Sequence, residues 1–116
     1  MSKRDRQTEA LVRDLDPGIA HAVVVLREAG IETFESCEGG SGHCYPEPTV
    51  RFFGTPEAGW RALAACLALG LPVYAIRRYW TVEDDHEPRG PNWEIVFRRK
   101  LAEADAGIAA GAPAGA

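Results

Sequence analysis

Apolar side chains recur at helical spacing in two places along this chain. The first set, Ile19, Ala22, Val23 and Leu26, follows Asp16-Pro17 and precedes Gly30. A capping aspartate, a proline suited to the first helical position and a glycine fitted to a left-handed stop predict a helix there. The second set, Trp60, Leu63, Ala64 and Leu67, follows Thr55-Pro56-Glu57 and ends before Gly70 and Pro72. Thr55 is the expected cap, and Glu57 complements the dipole of the first turn. Elsewhere the period falls to two. Ile31 to Cys37 reads as a strand rich in β-branched and aromatic residues, and Thr49 to Phe53 as a second, with Val50 and Phe52 facing one way. Val73 to Val82 predicts a long strand and Asn92 to Arg99 its partner, where Trp93, Ile95 and Phe97 alternate with Glu94, Val96 and Arg98. Glu83 to Pro91 reads as a polar hairpin loop between them.

The order α-β-β-α-β-β predicts an α+β fold, a two-layer sandwich in which two helices cover one face of a four-stranded, mostly antiparallel sheet. Residues 15–100 form that single domain in this reading. Residues 1–14, charged and poor in large apolar groups, are a flexible lead-in, and the Ala/Gly-rich residues 101–116 are a disordered tail. With 116 residues, 46% of them hydrophobic, the chain can bury a modest core without staples. A net charge of −4 argues against broad attraction to nucleic acid or anionic membrane. Met1 to Asp14 lacks the apolar core of a secretion signal, and no apolar run approaches bilayer length. Three cysteines make an odd count, so a reducing, cytoplasmic setting is expected rather than a disulfide framework.

Chemistry concentrates between the first two strands. Glu35-Ser36-Cys37-Glu38-Gly39-Gly40-Ser41-Gly42-His43-Cys44-Tyr45-Pro46-Glu47-Pro48 is far longer than a connector needs, and a connector needs neither thiols nor imidazole. Cys37, His43 and Cys44 are ligand types that zinc prefers, and His86 or Glu38 would complete four. The spacing is poor, however. Cys-x-x-Cys is absent, adjacent His43 and Cys44 diverge on extended backbone, and only one ligand pair is visible, so no metal site is assigned. A thiol nucleophile is the second option, with Cys37 attacking, His43 as base and Glu38 or Glu35 orienting it. The flanking acids Glu35 and Glu38 oppose negative charge on that sulfur. Backbone binding is the third. Gly39, Gly40 and Gly42 let amides approach a phosphate or ribose, although the loop matches neither the P-loop nor the dinucleotide fingerprint.

The uncovered sheet face adds candidates: Arg51, Phe53, Arg77 or Arg78, Tyr79 or Trp80, Glu94 and Arg98. Arginines among aromatics suit a planar, anionic ligand. The plainer reading is cross-strand ion pairing, such as Glu94 with a neighbouring arginine, or a homodimer interface. Asp84-Asp85-His86-Glu87 is most simply a solvated hairpin tip. Cys66, Trp60 and Trp93 fit apolar stripes and are expected in the core.

Asp16-Pro17-Gly18-Ile19, Gly30-Ile31-Glu32-Thr33 and Glu35-Ser36-Cys37-Glu38-Gly39 together resemble a group of small uncharacterised phage and bacterial proteins in which a helix precedes a strand ending in Ser-Cys-Glu-Gly. The likeness runs from about Asp16 to Arg99 and implies a small domain of mobile elements, without an activity to carry over. A weaker resemblance is to the wybutosine-synthesis methyltransferase family that acts on tRNA. Ser36-Cys37 match its motif, while Glu38 stands for a serine and Gly40 for an arginine, which removes a positive group from the nucleotide site.

The expectation is therefore a domain binding a small polar or nucleotide-like ligand at the Glu35–Pro48 loop and the open sheet face. Glu35, Ser36, Gly39, Gly40, Arg51, Arg78 and Trp80 are its ligand-binding candidates. Arg51 and Arg78 would neutralise an anion, Glu35 and Glu38 would take donors, and His43 would change charge state. Cys37, His43 and Glu38 are the catalytic set if the same loop performs hydrolysis or group transfer, with or without a metal. A homodimeric interaction module is the remaining alternative. No cofactor is named by the sequence.

Overall fold

A computed structural model describes residues 15–43 and 45–101; the expected flexible lead-in at 1–14, the Cys44 ligand and the disordered tail at 102–116 lie outside them. Helix α1 spans Pro17–Glu28, strand β1 Glu32–Cys37, strand β2 Thr49–Phe53, helix α2 Pro56–Ala68, strand β3 Val73–Val82 and strand β4 Pro88–Phe97. All pairings are antiparallel, in the order β1-β2-β4-β3, so the crossover through α2 sends the chain to the far edge and β4 returns to fill the gap. This is the α+β sandwich that the element order implies.

Val50 and Phe52 from β2, and Ile95 and Phe97 from β4, are fully buried under Ile19, Val23 and Leu26 of α1 and Cys66 of α2. Burial of a side chain as large as Phe52 or Phe97 stabilises the fold by about 2–3 kcal/mol. Gly30 and Gly70 turn the chain after each helix at φ of 83° and 70°, the left-handed stops expected of them. Thr55 caps α2 by accepting the Ala58 N–H at 3.4 Å. The Cys66 thiol, sealed in the core, is pushed up to about 12 by burial and is chemically inert.

Four expectations need correction. Trp60 is 71% exposed, and Leu67 is exposed as well. The buried side of α2 is instead Ala58, Gly59, Ala62 and Cys66. Small residues bring this helix close to the sheet: a Cβ on Gly59 would lie 2.4 Å from Trp93 Cζ2. The hairpin loop is shorter than the polar composition suggests, because β4 already begins at Pro88. There β4 runs beyond the end of β2, which pairs only up to Trp93, so this part of β4 is paired with β3 alone. Leu101, placed by composition in the tail, is buried and donates its N–H to Gly18 O at 2.8 Å. Finally, Asp16 holds the N-cap position of α1 but its side chain makes no capping bond.

Candidate functional site

The stretch after β1 is folded back on itself. Gly39 has a φ of 83°, and a Cβ there would come within 2.5 Å of the Glu47 carbonyl carbon, so glycine is required on both counts. Gly40 N–H donates to Pro46 O and His43 N–H to Gly40 O, each at 3.1 Å. Phe97 N–H donates to Pro48 O at 2.9 Å and fastens the returning limb to β4. These bonds satisfy loop backbone groups and fix the two limbs against each other.

One end of the loop meets the start of α1. Glu38 Oε1 accepts the Gly18 N–H at 3.0 Å, and its Oε2 lies 3.0 Å from Lys100 Nζ. The Gly18 N–H first, and the Lys100 ammonium with it, hold the Glu38 carboxyl below its ordinary value. Glu38 thus does the capping that Asp16 was expected to do. The Asp16 carboxylate is left facing His43, Oδ2 to Nδ1 at 3.7 Å, while His43 Nε2 lies 3.9 Å from Glu38 Oε2. Neither distance is a hydrogen bond. Cys37, buried at the end of β1, completes the group: donor atoms of Asp16, Cys37 and His43 all lie within 4.8 Å of one another.

The other limb covers the sheet. Tyr45 hydrogen-bonds Glu35 through its hydroxyl and lies over the Arg51 guanidinium, 4.8 Å from ring centroid to Cζ. Tyr79 stacks on the same guanidinium at 4.3 Å. Arg51 also pairs with Glu94 (3.3 Å) and Glu35 (3.5 Å), and Glu94 pairs with Arg77 at 2.8 Å. Glu35, Arg51, Glu94 and Arg77 are direct cross-strand partners and form one row of alternating charge across all four strands. The cross-strand pairing weighed from sequence is present here, and it occupies the arginine that was assigned to an anion.

The predicted residues therefore separate into groups. Cys37, Glu38 and His43 come together, next to the buried Gly39, and Gly40 lies exposed on the loop. Glu35 and Arg51 belong to the charged row. Three candidates lie off the sheet face that carries Arg51. Ser36 pairs with the core residue Val50, on the helix-covered side of β1. Arg78 lies over the Trp93 ring at 4.6 Å and donates to Gly54 O, on the side away from Arg51. Trp80 is exposed toward the hairpin end of β3, two residues beyond Arg78. The cause is the period of the strand: Arg77 and Tyr79, not Arg78 and Trp80, share the parity of Arg51. His86 lies in the β3–β4 turn, away from the loop. Asp16, Tyr45 and Lys100 were not singled out as site residues. Only Asp16 carries a signal, and its place directly before Pro17 makes a helix cap the natural reading.

Comparison with known protein families, with curated proteins and with solved structures gives no match. Among the described residues, no helix is long and apolar enough to cross a membrane.

Proposed function

We propose that the chain is a ligand-binding domain whose site is the junction of the glycine loop, the end of β1 and the start of α1. The observation that carries this reading is the convergence of Asp16, Cys37, Glu38 and His43 from three segments, with donor atoms of Asp16, Cys37 and His43 within 4.8 Å. Asp16 and Glu38 outnumber Lys100 in charge, so the junction favours a small cation or a donor-rich polar molecule. A phosphate would find Arg51 and Arg77 already engaged with Glu35 and Glu94. A mobile-element setting, implied by resemblance alone, would suit the capture of a small signal molecule.

Thermal shift against nucleotides, sugars, amines and metal salts tests the reading. A ligand at a hundredfold its dissociation constant adds about 2.7 kcal/mol of stability, well within detection. His43→Ala and Asp16→Ala are expected to remove the shift. The reading fails if nothing at millimolar concentration stabilises the protein, or if both variants respond as the parent does.

A second reading concerns the part of the sheet face that neither the helices nor the loop covers. Phe34 and Phe53 stack there at 4.3 Å while each remains over 40% exposed, beside a charge row that is neutral in sum. Such a face suits pairing with a second copy of the chain. Sedimentation of the parent and of Phe53→Glu decides it: a dimer is expected only for the parent, and a monomer at all concentrations removes the idea.

A further inference from the structure

We infer that Asp16, Cys37 and His43 form a three-ligand site for one divalent transition-metal ion, with zinc the best match to this donor set. The inference rests on the ligand-binding reading of the junction and names its ligand. One carboxylate oxygen, one thiolate and one imidazole are the donors zinc takes, and three protein ligands leave the fourth tetrahedral position for water or a substrate. Magnesium and calcium, which require oxygen ligands, do not fit a sulfur–nitrogen pair.

Three features set this cluster apart from a chance meeting of polar groups. The Asp16 carboxylate occupies a capping position without capping, since Glu38 takes the Gly18 N–H in its place. Asp16 is thereby released toward His43. Secondly, the imidazole lies between Asp16 and Glu38, with Nδ1 toward the first and Nε2 toward the second. When Nδ1 binds the metal, Nε2–H is directed at a carboxylate, the usual outer partner of a metal-bound histidine. Glu38 suits that part because the Gly18 N–H and Lys100 already fix it. Thirdly, Cys37 is buried, so the fold shields it from bulk solvent while its sulfur lies within 4.8 Å of donor atoms of the other two ligands.

The geometry asks for a small contraction. Metal–nitrogen and metal–oxygen bonds of about 2.0–2.2 Å and a metal–sulfur bond of about 2.3 Å place tetrahedral ligands roughly 3.3–3.6 Å apart. The longest separation allowed by the present cluster is 4.8 Å, so about 1 Å of closure is needed. His43 sits on the exposed part of the glycine loop and can supply it. Binding replaces the Cys37 S–H bond by a sulfur–metal bond and releases that proton to solvent. The competing account, a histidine lying between two acids, gives Cys37 no part.

Cobalt(II) added to the metal-stripped, reduced 116-residue chain separates the accounts. One equivalent is expected to bind, giving intense tetrahedral visible bands and a thiolate-to-cobalt charge-transfer band, both bleached by zinc. Cys37→Ser is expected to lose the charge-transfer band, His43→Ala to lose tight binding, and Cys44→Ser to keep both. Glu38→Gln is expected to bind about tenfold more weakly, as for loss of an outer partner. Circular dichroism checks each fold, and His43→Ala, altered on an exposed loop, remains informative if Cys37→Ser is unstable. No thiolate band in the parent, or a band that survives Cys37→Ser and disappears in Cys44→Ser, overturns the inference. If metal fails while an amine or sugar still gives a shift that needs Asp16 and His43, the ligand-binding reading stands without it.

Discussion

Glu38 ties the start of α1 to the segment after β4, and its ionised form is the one that makes both bonds. Because its folded pKa is lowered, its contribution to stability is present above the ordinary carboxylate value and is lost as pH falls through the depressed value. Melting temperature is therefore expected to fall below about pH 4.3 in the parent. Glu38→Gln is expected to be less stable at neutral pH and flatter through that acid window; a pH series of melts on both proteins reads the difference. Gly59 makes the opposite kind of demand, steric rather than electrostatic. Alanine gains up to about 1 kcal/mol of helix propensity over glycine, while overpacking costs about 1–3 kcal/mol. The Trp93 ring cannot retreat freely, since its Nε1–H donates to Thr55 O at 3.1 Å and Arg78 covers it. Gly59→Ala is expected to lower the urea midpoint with an unchanged slope. A rise in the midpoint would mean the ring moves aside.

At the scale of elements, local signals wrote most of the fold. Asp16-Pro17, Thr55-Pro56, Gly30 and Gly70 mark helix ends by backbone geometry that depends on neighbouring residues alone. Alternation in Trp93, Ile95 and Phe97 gave the face of β4, because one strand face is buried. The helix α2 was misread for a reason that no local signal carries. Its large residues, Trp60 and Leu67, point outward, and the packed side uses Ala58, Gly59 and Ala62 because the Trp93 ring fills the space beneath. The size of a gap is a property of the partner element, not of the helix. It follows that Trp60→Ser changes stability by no more than about 0.5 kcal/mol, as surface substitutions do. A loss of several kcal/mol in chemical denaturation would put Trp60 back in an interface. The candidate site was half legible for the same reason. Cys37, Glu38 and His43 are near one another in sequence, whereas Asp16 and Lys100 reach them only through the docking of α1 and the chain after β4.

Across the whole molecule, the row Glu35–Arg51–Glu94–Arg77 joins β1 to β3 through both inner strands, and its members are not equivalent. Glu94 is the hub. Its side chain is 14% exposed and takes both arginines, at 3.3 and 2.8 Å, whereas that of Glu35 is 46% exposed and meets one guanidinium at 3.5 Å. Cross-strand charge pairs are each worth about 0.2–1 kcal/mol, with half-buried, shared partners at the upper end. Removing Glu94 ends two of them and leaves Arg51 enclosed between Tyr45 and Tyr79 with only the outer acid beside it. Glu94→Gln is accordingly expected to cost about 1–2 kcal/mol, and Glu35→Gln no more than about 0.5 kcal/mol. Salt adds a second criterion, since screening acts on exposed charges before covered ones. Raising sodium chloride should erase the effect of Glu35→Gln while most of that of Glu94→Gln persists. Denaturant titrations of both variants at low and high salt measure this, and equal losses with equal salt dependence would mean the four strands are held by their core face alone.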